Sequence, residues 1–259
     1  NWIFAKIWSS NIKRIVGHSN KKQSTATVKR SIYQKFAMSN GQLTMLDNRI
    51  NSIKIEKRRK NMKKIEMIWR EILESGIKQS NLPAGNHVFE QKKLAEQFGF
   101  STSTVFAAIK PLRAIGAVMV TGRNFRITNF EKILLFWATH RVLIKDIIYE
   151  TRVEQPVLEI EGLVDSKTIY GAYSAGRILL GTAPAEYDKV YVYADSKKNL
   201  QQRFPPKPGR ANFFVLKKDQ FLTGKTTPVS QTFIDLWNLS DWFAADFLTA
   251  LKEKFYGFL

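Results

Sequence analysis

From Ile65 onward the apolar residues fall into regular periods. Ile65, Ile68, Trp69, Ile72, Leu73 and Ile77 are spaced i, i+3, i+4, i+7, i+8 and i+12, one face of an amphipathic helix. The turn-rich QSNLPAGN (79–86) breaks that pattern. Leu94, Ala95 and Phe98 predict a second short helix over about 90–98, and Gly99 suits its C-cap. Ser101 or Ser103 suits the N-cap of a third helix. Its inner face would be Val105, Ala108, Ile109, Leu112 and Ile115, and Gly116 would stop it. Val118 and Val120 then alternate with Met119 and Thr121, Gly122-Arg123-Asn124 reads as a turn, and Phe125 and Ile127 alternate on the return. This is a short β-hairpin.

The second half has a different texture. FEKILLFWATHRVLIKDIIYET predicts one long helix over about 130–151, with Ile133, Phe136, Trp137, His140, Ile144, Ile147 and Ile148 in a broad stripe. Such a helix must be buried, within the chain or in a dimer seam. LEIEGLVDSKTIYGAYSAGRILLG suggests a helix rich in small residues, Gly171 to Gly176 among them. DKVYVYAD (188–195) and ANFFVLKKD (211–219) read as strands by their β-branched and aromatic content, with the stiff loop RFPPKPGR between them. A helix is expected from about Ser230, and a terminal one over 240–255 with Phe243, Phe247, Leu251 and Phe255 in one row. The expected class is α+β.

Helix, helix, turn, helix, hairpin is the order of a winged helix-turn-helix. In that module the third helix offers its N-terminal turn to the major groove and the hairpin wing lies over the flanking backbone. Short hydroxyl side chains at the helix start allow close approach, and the helix N-terminus favours an anionic phosphate. KKLAEQFGFSTSTVFAAIKPLRAIGAVMVTGRNFRI resembles the winged helix-turn-helix of many prokaryotic transcriptional regulators. The likeness lies in the LAEQFG helix end, the S-T-V start, the L-x-x-I-G close and the wing. It implies DNA contacts from Ser101, Thr102, Ser103, Thr104, Phe106, Ala107 and Lys110, from Arg113 on the backbone, and from Arg123, Asn124 and Arg126 on the wing. Pro111, inside the third helix, removes one backbone bond and is expected to kink it. In the competing view, Ser101 to Thr104 are caps alone and the module is a protein-interaction fold.

YGAYSAGR, YDKVYVYAD, ANFFVLKKD and PVSQTFIDLWN resemble the C-terminal domain of antitoxins and regulators from abortive-infection E, type IV toxin–antitoxin systems. The likeness covers most of 65–259. It implies a winged module that represses its own operon, and a C-terminal domain that opposes a nucleotidyltransferase toxin partner. The expected division is an N-terminal extension at 1–61, a winged module at 62–130 and an α+β partner or effector domain at 131–259.

Charge changes the picture at the N-terminus. Of the 41 Lys and Arg and 22 Asp and Glu, residues 1–64 hold 16 and 2. The segment shows no sustained period, and its composition is that of a disordered tail or of translation upstream of the true start, for which Met38, Met45 and Met62 are candidates. The alternative is a basic arm that adds phosphate contacts. The net charge of +19 therefore cannot carry the functional argument by itself. With no cysteine there is neither a disulfide nor a thiolate metal site, which fits a reducing, cytoplasmic setting. No apolar run reaches the roughly 18 residues of a membrane span, and no signal peptide is evident.

Three motifs suggest an enzyme and fall short. Gly171 to Ser174 before the strand at Asp188 is similar to a nucleotidyltransferase start, but offers one acid where two must hold Mg²⁺. A degenerate protein of that fold remains a third reading. Gly224-Lys225-Thr226 lacks the earlier glycine of a P-loop and reads as a surface turn. Glu159, Glu161 and Asp165, and Asp195-Ser196-Lys197, read as solvated edges. The three histidines lie far apart, so His140 reads as a boundary residue and not a ligand. No cofactor or metal is expected, and double-stranded DNA is the expected partner of a possible homodimer.

Overall fold

The computed structural model describes residues 63–78 and 88–255, together with Ser52 and Glu56. The expectations for the N-terminal extension and for the turn at 79–86 lie outside the described residues. Residues 63–78 form helix α1, with Ile68, Trp69, Ile72 and Leu73 buried as its period requires. A three-residue strand β1 (Val88–Glu90) leads into α2 (Gln91–Phe98), whose buried residues are Leu94, Ala95 and Phe98. Gly99, at φ 61°, takes the left-handed cap that a side chain would strain.

Helix α3 (Thr102–Ala114) buries Val105, Ala108, Ile109 and Leu112 and runs through Pro111. Strands β2 (Val118–Thr121) and β3 (Asn124–Ile127) make the hairpin. β1 adds to β3, giving an antiparallel sheet in the order β1-β3-β2. That third strand is not expected from the sequence; three residues are too few to show alternation. Phe89 stacks on Phe125 at 5.1 Å between ring centres, and Trp69 Nε1 donates to the Ala108 carbonyl at 2.8 Å, tying α1 to α3.

The long helix expected over 130–151 is corrected. Helix α4 (Phe130–His140) stops at His140, Arg141 is extended, and Leu143–Asp146 forms a 3-10 turn. Ile147–Thr151 is then strand β4. β-Branched and aromatic residues suit a strand there, and Ile144, expected in the buried stripe, is 69 % exposed. The small-residue helix is present as α6 (Ala172–Leu180), and the segment before it divides into a short α5 (Val157–Leu163) and a strand β5 (Ile169–Gly171). Gly171 allows this turn because a Cβ there would come within 2.8 Å of the Tyr193 ring.

Strands β6 (Val190–Ala194) and β7 (Phe213–Lys217) lie within the expected spans, joined by α7 (Lys198–Arg203). α8 (Val229–Trp237) and α9 (Ala244–Phe255) complete the chain. The second sheet has the order β4-β7-β6-β5. β6 and β7 are parallel, with α7 as their crossover, and the outer pairs are antiparallel. The class is α+β.

All five residues of β6 are buried because both faces of the sheet are covered. Tyr191, Tyr193 and Leu216 face a core shared with α6, α8 and α9, while Val190, Val192, Phe213 and Val215 face a smaller core with α5 and α7. The larger core continues without a break from Ile68 to Leu251, across the boundary expected at 130. Residues 60–259 form one compact unit.

Candidate nucleic-acid interface

Helix α3 presents two opposite faces. Its inner face is fully apolar, while Ser101, Thr102, Ser103, Phe106, Ala107, Lys110 and Arg113 are exposed and Thr104 is half-buried. Arg123, Asn124 and Arg126 on the hairpin are exposed too. Ser101 is the N-cap, and its Oγ accepts from the Thr104 backbone N–H at 3.3 Å. The same Oγ lies 2.8 Å from Ser103 Oγ and 2.9 Å from Thr104 Oγ1. Three of the four hydroxyl residues thus form one capping cluster, and they remain at the surface. A hydroxyl can close the helix and still accept or donate outward, because it has one donor and two acceptor positions.

On the hairpin, Arg126 donates to Met119 Sδ at 3.4 Å and sits opposite Val88 and Met119 across the strands. Asn124 pairs in register with Glu90 and Thr121. The Arg123 carbonyl accepts from the Gln91 N–H at 3.2 Å, which fixes the hairpin turn against the start of α2. Among the described residues, no hydrogen bond or ion pair joins the helix group to the hairpin group. The fold brings both groups to the surface of one small module and leaves them separate. The stretch 99–129 contains Lys110, Arg113, Arg123 and Arg126 and no Asp or Glu. The nearest acids in sequence, Glu96 and Glu131, pair with Lys92 and Lys252, and Glu90, across the strands from Asn124, pairs with Lys93.

A second polar constellation, not expected from the sequence, lies inside the molecule. Arg141 is 7 % exposed and uses all three of its guanidinium nitrogens. Nη1 donates to Glu66 at 2.7 Å and to Asp146 at 3.2 Å, Nε to Asp235 at 3.1 Å, and Nη2 to Tyr193 Oη at 2.9 Å. Tyr193 in turn donates to Asp235 at 2.6 Å. Burial works against the charge on Arg141, but Tyr193, Asp235, Glu66 and Asp146 outweigh it and hold its proton more firmly than usual. Complete burial pushes the Asp235 carboxyl up to about 6, against the pull of Arg141 and the Tyr193 hydroxyl.

Beside this group, Arg70 of α1 donates to both oxygens of Asp219, at 2.7 and 2.8 Å, and to Gln231 at 2.7 Å. Burial works to raise Asp219, but the two bonds from Arg70 and the Phe221 N–H leave its carboxyl below the usual range. Glu74 accepts from the backbone and hydroxyl of Ser230 at 3.0 and 2.5 Å. The polar edge of α1 therefore locks the three-helix module to α8 and to the segment that follows β7. A cavity of about 30 Å³ beside these groups is lined in part by Lys63, Arg70, Arg141 and Asp219. That is room for a water molecule and not for a substrate.

Glu161, Asp165 and Asp195, among the acids weighed as catalytic, are engaged elsewhere. Glu161, expected on a solvated edge, is buried; it accepts from Arg177 at 2.5 Å and from Tyr187 at 2.7 Å. The expectation fails because both partners arrive from distant segments. Asp241 comes close to the surroundings of Asp188, since the phenols of Tyr173 and Tyr191 feel both charges. Its two oxygens are taken, however, one by Lys189 and one by Tyr173 at 2.9 Å. Asp195 pairs with Lys218 at 2.9 Å at an exposed strand end. Gly224 to Thr226 form a turn whose Thr226 bridges to Tyr170. His140 packs its ring 4.1 Å from Phe136, and its Nδ1 lies 2.8 Å from the Phe136 carbonyl. Among the described residues, no three His, Asp or Glu side chains converge as a metal site would require. No described helix is long and apolar enough to cross a membrane. No protein-family model matches this chain, and neither a curated protein nor a solved structure shows significant similarity to it.

Proposed function

We propose that this chain is a DNA-binding transcriptional regulator that acts as a repressor by occupying promoter DNA. The observation that carries the reading is the surface of residues 99–129. It has four cations, no acid, and an exposed helix face that the rest of the fold does not use. Duplex DNA is a dense polyanion whose neutralisation releases counterions, and a basic stretch with no acid of its own suits it. In this reading α3 enters the major groove with its capped N-terminus leading, while Arg123 and Arg126 rest on flanking phosphates. The packing of the α+β half against α1 gives a physical route by which a partner or effector could alter the module.

The test is fluorescence anisotropy of the full chain on the duplex upstream of its own coding sequence, against a scrambled duplex, at two salt concentrations. Tighter binding to its own DNA that persists at the higher salt supports a sequence-reading regulator. Equal, salt-fragile binding to both duplexes would assign the attraction to the basic segment 1–64 and overturn the reading.

A second reading, an antitoxin-like interaction protein facing a nucleotidyltransferase-type toxin, is favoured by one observation. Trp242 is 75 % exposed and Trp237 43 % exposed, near the junction of α8 and α9. Exposed tryptophan is a frequent anchor of protein interfaces. Loss of co-purification of a toxin encoded by a neighbouring gene on Trp242→Ala would favour this reading.

A further inference from the structure

Phe106 is the residue on α3 that neither the core nor the cap explains. It is 57 % exposed, on the side opposite Val105, Ala108, Ile109 and Leu112, which fill the core. At 100° per residue Phe106 shares the outward face with Ser103, Ala107 and Lys110. The middle of that face is therefore apolar, with a benzyl ring beside a methyl group. The short hydroxyls lie on its N-terminal side and the cations Lys110 and Arg113 on its C-terminal side. No carboxylate interrupts it. In the major groove only one of the four bases carries an apolar group, the C5-methyl of thymine, and it is contacted by side chains such as Phe and Ala.

We propose that Phe106, with Ala107, is the specificity-determining pair of this surface, and that it reads thymine methyl groups in the major groove. The proposal rests on the DNA-binding reading above and deepens it. Adenine, guanine and cytosine edges would leave the benzyl ring against polar atoms without relief, so the bound sites would centre on thymine. Lys110, one turn along, is placed to meet a neighbouring guanine or a phosphate.

The experiment uses the full chain. Duplexes are selected from a random pool, and each thymine of the enriched site is then replaced singly by deoxyuridine, which removes only the methyl group. The expected result is a site with thymine at its centre, and about a fourfold loss of affinity for each contacted methyl removed. Phe106→Ala should bind thymine and deoxyuridine duplexes alike, whereas Phe106→Leu should keep part of the preference. If no sequence is enriched, the DNA-binding reading falls and this proposal falls with it. If a site is enriched but deoxyuridine has no effect, the DNA-binding reading stands and the proposal is overturned. A methyl effect that persists unchanged in Phe106→Ala also overturns it.

Discussion

Two groups of charged and polar side chains among the described residues are treated by the fold in opposite ways. Arg141 is turned inward and matched by Asp146 nearby and by groups from distant segments, Glu66 on α1 and Asp235 on α8 among them. On α3 and the hairpin, the cations are turned outward and no acid lies within the stretch. The first group is consumed by the structure. Arg141 is shared by three carboxylates and a phenol, which take four of its five N–H groups. The second group is what remains after the fold has met its own needs, and function is sought there.

The comparison breaks most visibly if Arg141 is removed. Arg141→Ala leaves the fully buried Asp235 without its cation and takes a partner from Glu66 and from Asp146, which keeps Lys63 at 2.7 Å, and is expected to cost about 3–5 kcal/mol of stability in urea unfolding. A loss under about 1 kcal/mol would mean that the buried network is solvated and does not hold the two halves together.

Alkaline pH should come next. Burial, assisted by nearby acids, raises the phenols of Tyr173, Tyr187, Tyr191 and Tyr193 above their ordinary value. The unfolded chain releases these protons from about pH 10, where the folded chain still keeps them. Stability contributed by the neutral phenols is thus fully present below about pH 10 and is lost as pH rises further. The urea midpoint should fall between about pH 9 and pH 11, and an unchanged midpoint would contradict the burial assigned to these rings.

Smaller effects sharpen the outward side. Ser101→Ala removes the N-cap of α3 and should cost about 1 kcal/mol. Lys110→Ala and Arg113→Ala should change stability by no more than about 0.5 kcal/mol while weakening binding to duplex DNA. If the lysine and arginine variants instead unfold easily, those side chains belong to the fold and the distinction between the two regions collapses.

Elements with a one-sided stripe are legible in the sequence. α1, α2 and α3 bury the residues their periods pick out, and Gly99 caps α2 as its position suggests. The errors share one physical origin, contacts made at long range. α4 ends at His140 because the chain turns extended to deliver Arg141 to partners 75 and 94 residues away in sequence. Periodicity carries no information on such partners. A signal is nevertheless present: His140, Arg141, Lys145 and Asp146 interrupt an apolar run, and a charge in such a run that is not at the surface must be paired. Glu161 escapes a local reading for the same reason, with Arg177 and Tyr187 brought to it by α6 and the loop before β6. The exposed residues of α3 lie where the periodicity puts them, but their hydroxyl cluster shows that Ser101 has a structural duty as well.

Whether the outward cations meet phosphate is decided by the salt dependence of duplex binding for the full chain and for the double variant Arg123→Ala/Arg126→Ala. Both proteins carry the same basic N-terminal segment, so any attraction from that segment is common to them. The slope of log affinity against log salt should become shallower by roughly two in the variant, about 0.9 for each phosphate that is no longer neutralised. An unchanged slope would contradict phosphate contact, and would leave the hairpin without a part in binding DNA.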